Sequence, residues 1–186
     1  MGLDQYVFRV TKPKLEDRVY TAEELGNMGL NKAFYHEAEK DMSLIKELLP
    51  YTEIRDVRSH FLNTEKIIQD YNLPSDAYIS YMGPNGMKMR GHNEEEQFIS
   101  QEEIDKKYVL TKELPCYIWH TEEVQYWRKN YELQDWIANV LKKTIENTGY
   151  YRLNKTIIHR LNGRFDADVP EESKTKESAL FYHEWY

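Results

Sequence analysis

Side chains able to recognise a ligand are densest in Tyr126-Trp127-Arg128-Lys129, followed by Tyr131, Gln134 and Trp136. Indole and phenol rings stack on planar groups, and a guanidinium pairs with phosphate or carboxylate through a rigid fork of donors. A glutamine hydrogen-bonds without titrating. The set suits binding and orientation, not proton transfer. Read as one helix from Thr121 to Lys143, at about 100° per residue, it sorts into faces. Tyr126, Leu133, Ile137, Val140 and Leu141 fall in one arc, the expected core face. Trp127, Tyr131 and Gln134 form one flank, Lys129 and Trp136 the other, and Arg128 points nearly opposite the arc. The predicted ligand-binding residues are therefore Trp127, Arg128, Tyr131 and Gln134, with Lys129. Arg152 joins them, because Arg152, Lys155, His159, Arg160 and Arg164 make the one basic surface of note, suited to a phosphate group.

Other chemistry lacks a pattern. The six histidines, His36, His60, His92, His120, His159 and His183, make neither His-Glu-x-x-His nor His-x-His, so no metal ligand set is expected. Phosphate-cradling glycine loops and the nucleophile elbow are both missing from the sequence. Cys116 has His120 four residues on, too far along a strand for a direct bond, and reads as an inert core thiol. No catalytic residue and no cofactor is assigned.

The elements that must position these residues follow from local signals. Asp4 to Val10 is rich in β-branched and aromatic residues and predicts a strand. Thr21-Ala22-Glu23-Glu24 predicts a capped short helix, and Ser43 to Leu49 another, stopped by Pro50. Thr52 to Arg58 reads as extended, and Asn63 caps a helix reaching Tyr71. Gly83-Pro84-Asn85-Gly86 between two extended runs predicts a β-hairpin. Gly91 to Ile99 is polar and acidic and reads as a mobile loop. Ser100-Gln101-Glu102-Glu103 has capping-box spacing. Tyr117 to His120 reads as a strand and Tyr150 to Leu153 as extended. Asn154 caps a helix carrying Ile157, Ile158 and Leu161, with Gly163 at its end. Strands and helices are mixed without regular βαβ alternation. The expected fold is α+β: a small antiparallel sheet packed with several helices in one domain, residues 1–165. Residues 166–186 are expected as an irregular charged segment with an aromatic end.

The 186 residues include 15 tyrosines and 4 tryptophans, enough large rings to close a core with only 40% hydrophobic residues. A net charge of −7 disfavours nucleic acid and acidic membrane as partners. Glu94-Glu95-Glu96 is too short an acidic run for DNA mimicry. One cysteine, no long apolar run and no basic-then-apolar leader point to the cytoplasm. An acidic, aromatic-rich domain also suits self-association into a homo-oligomer, although no heptad seam is present.

Met1-Gly2-Leu3-Asp4, together with Glu123-Val124-Gln125-Tyr126-Trp127-Arg128-Lys129 and Trp136, resembles an uncharacterised family of small bacteriophage and prophage proteins. Members begin with a Met-Gly-Leu-Asp strand and carry a Tyr-Trp-Arg-Lys helix. Gly149-Tyr150-Tyr151 also looks like the segment that follows in that family. Gln134 stands where many relatives have His, which removes a titrating group from the position. The resemblance implies a phage accessory protein in the host cytoplasm. The expected role is non-catalytic: sequestering a nucleotide-like small molecule, such as a host defence signal. A protein–protein inhibitor of a host enzyme is the alternative, with Phe181 to Tyr186 contributing contacts. A nucleotide-processing enzyme using His120, His159 or a nearby Glu is the second alternative.

Overall fold

The computed structural model describes residues 2–39, 45–90, 96–171, 175 and 177–186. Along the chain run β1 (Asp4–Thr11), β2 (Tyr20–Thr21), α1 (Ala22–Asn27), β3 (Leu30–Phe34), α2 (Tyr35–Ala38), a 3-10 turn (Leu49–Tyr51) and β4 (Glu53–Leu62). Next come α3 (Thr64–Asp70), β5 (Tyr78–Tyr81), a 3-10 turn (Gly83–Asn85), β6 (Met87–Arg90), β7 (Glu96–Ile99) and α4 (Gln101–Lys107). The chain closes with β8 (Val109–Arg128), α5 (Tyr131–Leu141), β9 (Tyr150–Arg152), α6 (Lys155–Phe165) and β10 (Ser178–Trp185). The class is α+β as expected, but in place of one small sheet there are two, of seven and of three strands. The chain also divides into two compact units, 1–57 with 114–186, and 58–113.

The first unit is organised by the large sheet, whose hydrogen-bonded order is β2-β4-β8-β1-β10-β9, with β3 also on β8. β1 lies antiparallel between β8 and β10, and β10 lies antiparallel to β9. Strand alternation then gives the sheet two faces. Gln5 and Val7 with Tyr182 and Glu184 look one way; Tyr6 and Phe8 with Phe181 and His183 look the other. The first face is covered by α5 and α6. Leu133, Ile137, Ile157, Ile158 and Leu161 pack on Val7, Tyr151, Leu180 and Tyr182. Each such side chain contributes about 1.5–3 kcal/mol by leaving water. Asn130 and Asn154 cap these helices by accepting the backbone N–H of Leu133 at 3.0 Å and of Ile157 at 2.9 Å. On the other face Val10, Leu48, Tyr51, Trp119, Ala179 and Phe181 form a second buried cluster.

The second unit has its own core. The hairpin of β5 and β6 joins β7 in the three-stranded sheet, and Ile67, Met87, Met89, Ile99, Ile104 and Tyr108 close the interior with α3 and α4. Gly83 and Gly86 both have positive φ, 65° and 95°, which is why the Pro-Asn turn is bracketed by glycines.

Several expectations are corrected. Thr121 to Lys143 is not one helix: β8 continues to Arg128, Lys129 turns the chain at φ 55°, and α5 begins only at Tyr131. The apolar arc was real for Leu133 and Ile137, but Tyr126, assigned to that core face, is 41% exposed. Residues 120–128 instead pair with β1, and the β-prone Val124-Gln125-Tyr126-Trp127 run follows that partner. The aromatic end, assigned no element from the sequence, belongs to a strand. Ser178–Trp185 is an interior strand, buried on both faces from Ala179 to Tyr182, so it lacks the alternation that marks a half-exposed strand. Glu96–Ile99, expected within a loop, is β7, while 91–95 lies outside the described residues. The helix expected over Ser43 to Leu49 falls partly outside them too, and Pro50 sits inside a 3-10 turn. Finally, α6 runs past Gly163 to Phe165 and ends on Asp166, at φ 47°.

Candidate functional site

Because Trp127 and Arg128 are consecutive in a strand, their side chains leave the sheet on opposite faces. Trp127 is half-buried and packs against the helix-covered cluster. Arg128 lies on the other face with Tyr126; its side chain is 68% exposed and its Nε stands 4.0 Å from Asp4. Tyr126 donates its hydroxyl to the same Asp4 carboxylate at 2.7 Å, across 122 residues of sequence. Lys129 is in the turn, its stem over Gly2. Tyr131 opens α5 and is 59% exposed. Arg152 belongs to β9, opposite Phe181, with its guanidinium carbon 5.7 Å from the Tyr51 ring centre. The predicted set is therefore not one cluster.

Gln134 enters a buried polar network on the helix-covered face. Its amide donates to Glu184 Oε1 at 2.7 Å and also contacts the Tyr186 hydroxyl. Glu184 is fully buried and further accepts from Tyr182 at 2.9 Å and Tyr186 at 3.0 Å. Gln5, also fully buried, donates to Tyr182 Oη at 2.8 Å and to the Asn130 carbonyl at 3.0 Å, and accepts the Asn130 N–H at 2.9 Å. A carboxylate taken out of water is tolerated only when such donors surround it. Burial, then the Glu184 charge, push the Tyr182 phenol well above its usual range, so it stays a hydrogen-bond donor. This network joins β1, β10, α5 and the turn before α5.

The opposite face carries an array of rings. Tyr126 and Tyr6 have centroids 5.1 Å apart, Tyr6 stacks on Phe8 at 5.0 Å and 10°, and Phe8 lies 5.6 Å from His183. His183 in turn sits 4.5 Å from Tyr150, which leads to Phe181 at 6.4 Å and Trp119 at 6.1 Å. At the Trp119 and Phe181 end the rings are sealed; at the Tyr126, Tyr6, Phe8 and His183 end they are partly open. Arg128 and Asp4 border the open end, and Arg152 extends the same face. The site combines a row of packed rings with a guanidinium and a carboxylate at the rim, groups able to stack and to form charge-assisted hydrogen bonds.

Tyr6, Phe8, Tyr150 and His183 were missed as site residues. The period-two spacing of Tyr6 with Phe8 and of Phe181 with His183 was the available signal, but only strand register unites them. The basic surface of the late helix is largely engaged: Lys155 pairs with Glu171 at 3.4 Å, Arg164 with Glu132 at 2.9 Å, and Arg160 lies 5.7 Å over Trp136. Lys12 and Lys14, which line a groove of about 440 Å³, face Glu53 and Glu177 at 3.8 Å each. In the second unit, Phe61, Leu62, Met87, Ile104 and Val109 wall an apolar cavity of about 270 Å³. Cys116 is buried, and burial pushes its thiol up to about 12. Among the described residues no group of His, Cys, Asp and Glu could hold a metal ion, and no helix is long and apolar enough to cross a membrane. Comparison with known proteins finds no family model, no curated protein and no solved structure that matches this chain.

Proposed function

We propose that this chain is a non-catalytic binding module that holds a nucleotide-like small molecule on the open aromatic face of its large sheet. The observation that carries the reading is the joined array of Tyr126, Tyr6, Phe8 and His183 with Arg128 at its rim. A base lying on these rings gains about 1–3 kcal/mol from stacking. Arg128 supplies a donor fork for a phosphate, and Asp4 an acceptor for base N–H groups. Asp4, Glu122 and Glu123 near this face, and the overall charge of −7, suit one nucleotide better than a polyanionic strand. The resemblance of Met1-Gly2-Leu3-Asp4 and Tyr126-Trp127-Arg128-Lys129 to phage proteins supports a setting: sequestration of a nucleotide-derived host signal in an infected cell.

Isothermal titration against AMP, GMP, ADP-ribose and cyclic dinucleotides tests the reading. Binding of one class is expected, weakened roughly 5- to 150-fold by Tyr126→Ala if that ring contributes about 1–3 kcal/mol. No heat of binding at high micromolar protein would overturn it.

The second reading is a protein–protein inhibitor, favoured by Tyr131, Trp185 and Tyr186, which expose 59%, 57% and 44% of their surface. A stoichiometric host partner, captured by the wild type and lost on Trp185→Ala but not on Tyr126→Ala, would select it.

A further inference from the structure

We infer that His183 is the specificity-determining residue of the aromatic face, its Nε2 accepting a hydrogen bond from the exocyclic amino group of a bound base. The inference rests on the binding reading above and adds the ligand's chemistry to it. His183 Nδ1 lies 3.1 Å from the Gly149 carbonyl oxygen. A carbonyl can only accept, so Nδ1 carries the proton, and the neutral ring leaves a lone pair on Nε2. The carbonyl is itself held in place. Gly149 is buried, its N–H donates to the Glu146 carbonyl at 3.1 Å, and a side chain at 149 would overlap the Tyr151 ring. The imidazole plane is fixed from its sides by Tyr150 at 4.5 Å, Phe8 at 5.6 Å and Tyr6 at 6.3 Å.

Among the described residues Nε2 has no hydrogen-bond partner. It is also not sealed: the buried side-chain polar atoms without a partner belong to Gln101 and Trp119. A nitrogen acceptor of set tautomer is therefore left accessible on a ring that neighbours Tyr6 and Phe8. Burial lowers the pKa of His183, which keeps the ring neutral and unsuited to a phosphate. In the proposed pose a base packs beside Tyr6 and Tyr126 with its edge turned to Nε2. An exocyclic amino group projects beyond that edge and can reach a half-buried nitrogen. A carbonyl at the same place would meet a second acceptor and be rejected. The ligand class is an amino-bearing base, of adenine, guanine or cytosine type.

The test titrates AMP, GMP and CMP, each beside its N,N-dimethylated counterpart, into wild type and His183→Phe, which keeps a flat ring and removes the acceptor. Wild type is expected to prefer an amino form by roughly tenfold, the value of one hydrogen bond of about 1.4 kcal/mol, and His183→Phe to bind both forms alike. Equal binding of both forms by the wild type would overturn the inference and leave the binding reading intact. Discrimination persisting in His183→Phe would overturn it too, by showing a steric origin. If His183→Phe does not fold, the wild type labelled with 15N-histidine decides. A shift of the unprotonated His183 nitrogen on adding the preferred nucleotide supports the inference, and an unmoved resonance sinks it. No binding of any of the six compounds by the wild type would overturn the inference, and the binding reading falls with it only if ADP-ribose and the cyclic dinucleotides fail as well.

Discussion

Gln134→Ala separates a residue that holds the protein together from one that holds a ligand. In the structure its amide donates at 2.7 Å to Glu184, a carboxylate with no exposure. A hydrogen bond to a charged group is worth about 1.5–3 kcal/mol, and removing the donor leaves part of the desolvation cost of Glu184 uncompensated. The Tyr182 and Tyr186 hydroxyls still reach the carboxylate, which places the loss inside that range and not above it. Alanine is the better helix former in α5 by a few tenths of a kcal/mol, a small offset. For a chain of this size the expected fall in Tm is roughly 3–12 °C. Thermal unfolding followed by far-UV circular dichroism and tryptophan fluorescence measures it. Nucleotide affinity should be unchanged in the same variant, since Gln134 and Tyr6 lie on opposite sides of the sheet. An unchanged unfolding midpoint together with lost binding would refute the reasoning and return Gln134 to the ligand. Gln134→Glu gives a harsher control. A second carboxylate against buried Glu184 replaces a donor with a like charge, so the fall in Tm should exceed that of Gln134→Ala.

Three further outcomes are expected. Burial holds the His183 pKa below its ordinary 6.5, so below that pH the unfolded chain binds the extra proton; stability is flat above 6.5 and falls as pH drops beneath it. Urea midpoints between pH 7.5 and 5 should show this fall in wild type and a smaller one in His183→Phe, and equal slopes would count against it. Gly86→Ala places a side chain at φ 95° and against the Ile99 carbonyl oxygen, and should cost at least about 1–3 kcal/mol. Faster amide exchange confined to residues 58–113 would register that loss, and unchanged exchange would contradict it. Cys116, pushed up to about 12 by burial, should resist Ellman's reagent at pH 8 in the native protein and react at once in guanidinium.

Local chemistry was written plainly in the chain. Thr21 with Glu24, Asn63, Ser100 and Asn154 each announced a helix start, and in each the side-chain oxygen accepts a backbone N–H three residues on. The glycine-bracketed hairpin and the strand at Asp4–Thr11 were equally legible, because capping, turn conformation and β-propensity act within a few residues. Only tertiary structure decided the segment Tyr126 to Trp136. Helical spacing of Tyr126 with Leu133 and Ile137 was a coincidence of pattern, and pairing with β1, more than 110 residues earlier, made Thr121–Arg128 a strand. That choice sent Trp127 to the core and Arg128 to the open face. It also set Tyr126 beside Tyr6, while Glu184, 50 residues away in sequence, claimed Gln134. Side chains that meet through strand register or a buried carboxylate share no local signal, since their contact energy exists only once the chain has closed those loops.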